Sequence, residues 1–102
     1  MRLIVFFDLP VVSKTARRRY ARFRKFLLRD GYDMIQFSIY SRICNGLDDV
    51  NKHIKRLKEN LPTEGSIRCM QVTEKQYANM MVLIGEKKEK EKDKYSKQLS
   101  FF

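Results

Sequence analysis

Apolar residues fall along this chain in stretches that alternate between the period of a strand and the period of a helix. Arg2–Leu9 is a short, nearly continuous run of β-branched and aromatic residues, which predicts a central strand buried on both faces. Pro10 ends it. Ser13 supplies an N-cap for a long helix running to about Asp30, with Gly31 as its stop. Ala16, Tyr20, Phe23 and Leu27 recur at i, i+4, i+7 and i+11, with Phe26 beside them, and form the predicted core face. Asp33–Ile43 is strand material again, interrupted by Gln36 and Ser38, and is compatible with a tight hairpin or with one bent strand. Asn45–Gly46 turns into a second helix, with Leu47, Val50, Ile54, Leu57 and Leu61 as its apolar stripe and Asn45 with Asp48 placed as a capping box. Pro62 ends that helix. Ser66–Thr73 alternates as a strand, Glu74–Asn79 is a connector or short helical turn, and Met80–Ile84 is a last strand closed by Gly85.

The order is β-α-β-(β)-α-β plus one further strand. With right-handed crossovers this is an α+β sandwich, a ferredoxin-like arrangement of two helices on one face of an antiparallel sheet. A four-stranded sheet of this kind has no slot for Met80–Ile84, which therefore extends the sheet or pairs with a neighbouring chain. The predicted organisation is a ferredoxin-like domain over residues 1–85, including that strand, and a charged tail over 86–102. Residues 86–94 are all charged, five basic and four acidic, and the chain closes on the apolar Leu99-Ser-Phe-Phe102.

Composition narrows the function classes. The chain has 102 residues, enough for one small domain, and a domain this short gains from dimerisation because it buries a modest share of its surface alone. Lys and Arg total 22 against 12 Asp and Glu, a net charge of +10, which favours polyanions, nucleic acid before an anionic membrane surface. The longest apolar runs, Leu3–Phe7 and Met80–Ile84, are far below the ~18–20 residues of a membrane span. The N-terminus meets Asp8 and Pro10 too soon for an export signal, so a cytoplasmic location is expected. Cys44 and Cys69 cannot make a disulfide scaffold or a four-thiolate zinc site and are expected as reduced thiols. His53, the only histidine, has no visible nucleophile paired with it and is expected to be structural or exposed. The four glycines form no phosphate-cradling loop.

The positive charge is concentrated. Between Ser13 and Asp30 lie Lys14, Arg17, Arg18, Arg19, Arg22, Arg24, Lys25 and Arg29, with Asp30 the only acid. At ~100° per residue, Arg18, Arg22, Lys25 and Arg29 lie opposite the Tyr20/Phe23/Leu27 stripe, Arg17 and Arg24 border one side of it, and Arg19 borders the other. A solvated helix ordinarily mixes signs to gain i, i+4 pairs, whereas here like charges stand four apart. The predominance of arginine suits forked contacts to phosphate. These eight residues are the candidate nucleic-acid contacts, to backbone rather than to base edges; the plainer alternative is a solubilising surface.

Among the carboxylates, Asp8 stands apart, because it ends an otherwise apolar central strand. There it would hold Mg²⁺ or Mn²⁺ through oxygen, or cap the turn around Pro10. Metal-assisted phosphodiester cleavage needs more than one carboxylate, so a catalytic metal site would exist only where a two-fold dimer brings two Asp8 side chains together.

Several segments carry a resemblance. They are Leu3-Ile-Val-Phe-Phe-Asp8-Leu-Pro, the Arg-rich helix with Phe26-Leu27 near its end, Gly31-Tyr32, Gln36-Phe37-Ser38-Ile39-Tyr40, Val72-Thr-Glu-Lys-Gln-Tyr77 and Leu83-Ile-Gly85. In this order and spacing they resemble the Cas-two family of small CRISPR-associated proteins, over about residues 1–85, and most of all its members from systems with a single large effector nuclease (type II). The resemblance implies a ferredoxin-like homodimer whose last strand crosses to the other protomer. It implies a role in CRISPR adaptation, the acquisition of spacers in antiviral defence, in which the dimer bridges the Cas-one integrase while prespacer DNA lies across its basic surface. It also implies a Mg²⁺-dependent endonuclease activity on RNA or double-stranded DNA, described for some members, with the residue matching Asp8 as metal ligand. Where members often carry a basic residue two before the Gln, this chain has Met34, and that residue's role does not carry over. A competing reading is a non-catalytic RNA-binding module of the same topology, which would present paired aromatics on its sheet; Phe6 and Phe7, like Phe37 and Tyr40, alternate faces on regular strands and form no such platform.

Overall fold

The computed structural model describes residues 1–85. They form a four-stranded antiparallel sheet in the order β2-β3-β1-β4, with β1 at Arg2–Asp8, β2 at Asp33–Gln36, β3 at Ile39–Ile43 and β4 at Ser66–Val72. Helix α1 spans Lys14–Arg29, α2 spans Leu47–Glu59, and the short α3 spans Glu74–Ala78. The α+β architecture and strand order are those of a ferredoxin-like fold.

Period-two alternation on β1 divides the molecule. Leu3, Val5 and Phe7 are buried against Phe23 and Leu27 of α1 and Val50 and Leu57 of α2. The Phe7 ring meets Phe23 edge-on at 5.2 Å and Tyr20 at 5.9 Å, and stacks on Tyr40 at 5.8 Å. Arg2, Ile4 and Phe6 face the other way. Arg2 is buried there beneath α3, donating to Glu74 Oε2 at 2.9 Å with its guanidinium 4.0 Å from the centre of the Tyr77 ring. Ile4 and Phe6 are only half-buried, so β1 is not covered on both faces as its composition predicts. Their cross-strand neighbours Ile39 and Met70 continue an apolar stripe across this far face, with Ile43 beside it.

Local signals set the helix ends. Ser13 Oγ accepts from the Ala16 amide at 3.0 Å, and Gly31, at φ +91°, lets the Tyr32 amide return to the Leu27 carbonyl at 3.0 Å. The 33–43 segment is a hairpin: Phe37–Ser38 makes the turn, Ser38 adopts φ +66°, and the register shifts between Met34 and Gln36. Thr73 and Gln76 form a capping box that starts α3.

Three expectations change. The Asn45/Asp48 capping box does not form; Gly46 is the N-cap of α2, and the Asn45 amide donates instead to Asp49 Oδ2 at 2.9 Å. That bond and Lys52 hold the Asp49 carboxyl down at about 2. Leu47 and Leu61 are half exposed, because they lie at and beyond the ends of α2, where the stripe outruns the sheet it covers. Met80–Ile84 forms no strand within the single chain. An extended segment becomes a strand only with a ladder partner; here residues 80–85 flank a cavity of about 540 Å³ shared with Met34–Phe37, with Leu83 and Ile84 almost wholly exposed. The charged tail and Leu99-Ser-Phe-Phe102 lie outside the described residues.

Gly65 holds the β4 entry against the end of β1. At φ +99°, a Cβ there would sit 2.5 Å from Leu9 Cδ2 and 2.8 Å from the Asp8 carbonyl oxygen. Gly65→Ala is expected to lower stability by about 1–3 kcal/mol, read as a fall in the denaturant midpoint at unchanged slope.

Candidate functional site

The exposed face of α1 is assembled by its own period: with Ala16, Phe23 and Leu27 buried, the intervening cations have only solvent to face. Lys14, Arg18, Arg22, Lys25 and Arg29 are exposed, and none has a carboxylate partner among the described residues. The other three predicted contacts are committed locally. Arg17 donates to the carbonyls of Val11 and Val12 at 3.1 and 3.2 Å and braces the loop between β1 and α1. Arg24 donates to the Tyr40 hydroxyl at 2.9 Å. Arg19 stands 3.6 Å from Glu64. All three keep their charge on the face, but with less freedom to follow a ligand.

The single acid of this segment is withdrawn from it. Asp30, at the C-cap of α1, is almost buried; it accepts from Arg56 at 2.7 Å and lies 2.7 Å from His53 Nδ1. His53 Nε2 is 3.4 Å from Asp49, and Arg42 donates to the Asp30 carbonyl. His53 is thus a buried structural residue. The sequence places Asp30 only at the end of the first helix. The one local signal for this cluster was the i, i+4 spacing of Asp49 and His53, since Asp30 and Arg42 come from other elements. The Tyr32 hydroxyl nearby is buried without a hydrogen-bond partner, and burial raises its pKa beyond the ordinary tyrosine range. Cys44 is buried, which pushes its thiol up, whereas Cys69 is exposed on β4.

Asp8 is exposed at the last position of β1, opposite Ser66. Its carboxylate takes no hydrogen bond or ion pair among the described residues, so it does not cap the turn around Pro10. It opens into a cavity of about 420 Å³ shared with Phe37, Ser38, Ser66 and Arg68. The Phe37 ring, at the hairpin tip, is 84% exposed, which sequence reading missed by placing it on a regular strand. No group of three His, Cys, Asp or Glu side chains is placed to hold a metal ion among the described residues, and Asp8 is the one carboxylate lining this cavity, so one chain contributes one carboxylate to any metal here. Hydroxyls and a single carboxylate are hard oxygen donors of the type Mg²⁺ and Mn²⁺ take. They fit such an ion only where a second chain adds its own carboxylate. Phe7 and Tyr40 are buried, so neither Phe6 with Phe7 nor Phe37 with Tyr40 forms an exposed aromatic pair on the sheet. No helix of the described chain is long and apolar enough to cross a membrane.

Comparison with known proteins agrees with this geometry. Residues 1–80 match the family described as CRISPR associated protein Cas2. The chain is 58% identical over 102 residues, all of both chains, to the CRISPR-associated endoribonuclease Cas2 of Acidovorax ebreus (strain TPSY). It is 45% identical to the protein of the same name from Flavobacterium psychrophilum, over 98% of this chain and 86% of that one. To the one from Treponema denticola it is 46% identical, over 86% and 87% of the two chains. With a family match over most of its length and a full-length relative at this identity, the chain belongs to the Cas2 family of CRISPR-associated proteins.

Proposed function

We propose that this protein acts in CRISPR adaptation as a homodimer that holds prespacer DNA on its arginine face and bridges the Cas-one integrase. The observation that carries this reading is the face itself: five exposed cations on one helix without an ion pair or side-chain hydrogen bond among the described residues, with the helix's own terminal acid, Asp30, turned inward onto His53 and Arg56. Uncompensated charge of this kind is unfavourable in a free surface and favourable against a phosphate backbone, where it releases counterions. With no groove-reading element, binding is independent of sequence.

Two features support a homodimer. The far face of the sheet carries Ile4, Phe6, Ile39 and Met70, partly or largely open to solvent, and among the described residues Met80–Ile84 is an apolar segment without a ladder. A symmetric partner covers the first and receives the second. Of the two open sheet edges, β4 offers seven residues in unbroken register, whereas β2 offers four with a register shift, so β4 is the better acceptor for the crossing strand.

A second activity, metal-dependent endonuclease action on RNA or double-stranded DNA, is favoured by Asp8, a carboxylate without a partner among the described residues in an open cavity. Asp8 of each protomer would hold Mg²⁺ or Mn²⁺, which supplies Lewis-acid polarisation of a phosphodiester. Arg68 supplies a cation for the phosphate in the same cavity, and Phe37 an exposed ring for an unstacked base. The relatives' name, endoribonuclease, agrees with this chemistry.

Replacing Arg18, Arg22 and Arg29 together by Ala is expected to flatten the log–log salt dependence of duplex binding by about 0.9 for each phosphate no longer neutralised, up to roughly 2.7. An unchanged slope moves the DNA surface elsewhere. Truncation before Met80 is expected to abolish the dimer in light scattering at concentrations where the full chain is dimeric. Asp8→Asn is expected to abolish Mg²⁺- or Mn²⁺-dependent cleavage while leaving the dimer and integrase-supported integration intact; full cleavage by this variant removes Asp8 from the reaction.

A further inference from the structure

Five of the cations on α1, Lys14, Arg18, Arg22, Lys25 and Arg29, have neither an ion pair nor a side-chain hydrogen bond among the described residues, and none of them lines the cavities described above. With Arg19, Arg22 lines a further concavity of about 120 Å³ between the middle of α1 and the segment that follows α2, where Asn60, Pro62 and Thr63 supply the facing side and the buried Phe23 ring contributes apolar surface.

The donors around this space are available. Arg22 has no ion pair or hydrogen bond among the described residues, and the Thr63 hydroxyl has none either. Asn60 uses its amide nitrogen on the Arg56 carbonyl at 2.9 Å. Arg19 has one ion pair among the described residues, with the exposed Glu64 at 3.6 Å, a partly solvated contact worth little and readily exchanged. No carboxylate lines the cavity. Two forked guanidinium groups and a hydroxyl converging on one concavity suit an anion with several acceptor oxygens. Size selects further. A concavity of about 120 Å³, partly open to solvent, admits one tetrahedral phosphate and leaves its carrier outside.

We infer that the Arg19/Arg22/Thr63 cavity is a phosphate seat, a site that takes one phosphate group and leaves whatever bears it outside. The ligand chemistry is the phosphate itself, carried either by a nucleic-acid backbone or as a free or terminal monoester. The seat rests on its own lining; the DNA-binding reading above enters only as one source of the phosphate. Where that source is a duplex, a phosphate held in a concavity fixes the register of the backbone on α1, which cations on an open surface cannot do alone.

The test follows the arginine Nε–H signals of the full chain by NMR at constant ionic strength, with two probes: inorganic phosphate, and a duplex lacking terminal phosphates. Thr63→Leu fills the cavity without changing charge at an exposed position, and Arg22→Lys keeps the charge while removing the fork. Saturable shifts at Arg19 and Arg22 but not at Arg18 or Arg29 are expected, lost in Thr63→Leu and at least tenfold weaker in Arg22→Lys. Saturation by inorganic phosphate identifies a monoester seat; saturation by the duplex alone identifies a backbone seat, and Thr63→Leu then lowers the salt slope by about 0.9, the share of a single phosphate. Phosphate saturation without any duplex binding keeps the seat and discards the DNA reading. Unsaturated shifts spread equally over the α1 arginines with both probes, or saturation unaffected by Thr63→Leu, overturn the proposal.

Discussion

The burial of β1 between β3 and β4 is the constraint on which the remaining structure depends. Its odd residues, Leu3, Val5 and Phe7, supply the floor against which α1 and α2 pack, and the Phe7 ring alone meets Tyr20, Phe23 and Tyr40. Because side chains on a strand alternate, the same seven residues must send Arg2, Ile4 and Phe6 to the opposite face and leave Asp8 at the strand's end. The core, the uncovered sheet face and the exposed carboxylate are therefore consequences of one strand's phase. A one-residue slip of β1 would exchange the core residues for the far-face residues and turn the Asp8 carboxylate to the helix side.

Charge is separated by a similar economy. Helix α1 carries nearly all its cations outward, and the molecule keeps them uncompensated by taking the local acid inside. Asp30 binds Arg56 and His53, His53 approaches Asp49, and Arg42 closes the cluster from β3. An ion cluster of this kind adds modest net stability, since desolvation offsets much of the attraction, but loss of one member strands the others. The cluster ties the C-terminal end of α1 to α2 and β3.

The far face shows the complementary situation. Arg2, Glu74 and Tyr77 fasten α3 to the sheet at one end, and the chain leaves α3 directly into the apolar Met80–Ile84 segment. The point at which that segment departs is thus fixed by a buried cation against a carboxylate and a ring, while the segment itself has no ladder of its own. An anchored origin and an unpaired apolar end suit a segment that completes its structure on a second chain.

The two long helices, β1, β4, the strand character of residues 33–43 and the basic face were legible in the sequence because each rests on a local period: Ala16, Phe23 and Leu27 define the buried side of α1, and so by subtraction the side where Arg18, Arg22 and Arg29 stand. The caps at Ser13 and Gly31 were legible for the same reason, being contacts within a turn of chain. Asp8 was legible as the residue that ends β1, though whether it capped a turn was not. What only the tertiary structure decided are contacts between residues distant in sequence. Asp30 finds His53 across 23 positions, Arg24 finds Tyr40 across 16, and Arg2 finds Glu74 across 72. The hairpin at Phe37–Ser38 belongs with these, because β3 is held in place by pairing with β1 as well as with β2. So does the cavity between α1 and the segment after α2. Local periodicity states which face of an element turns inward; which polar groups meet there, and what space remains between them, depends on the packing of elements whose separation along the chain carries no sequence signal.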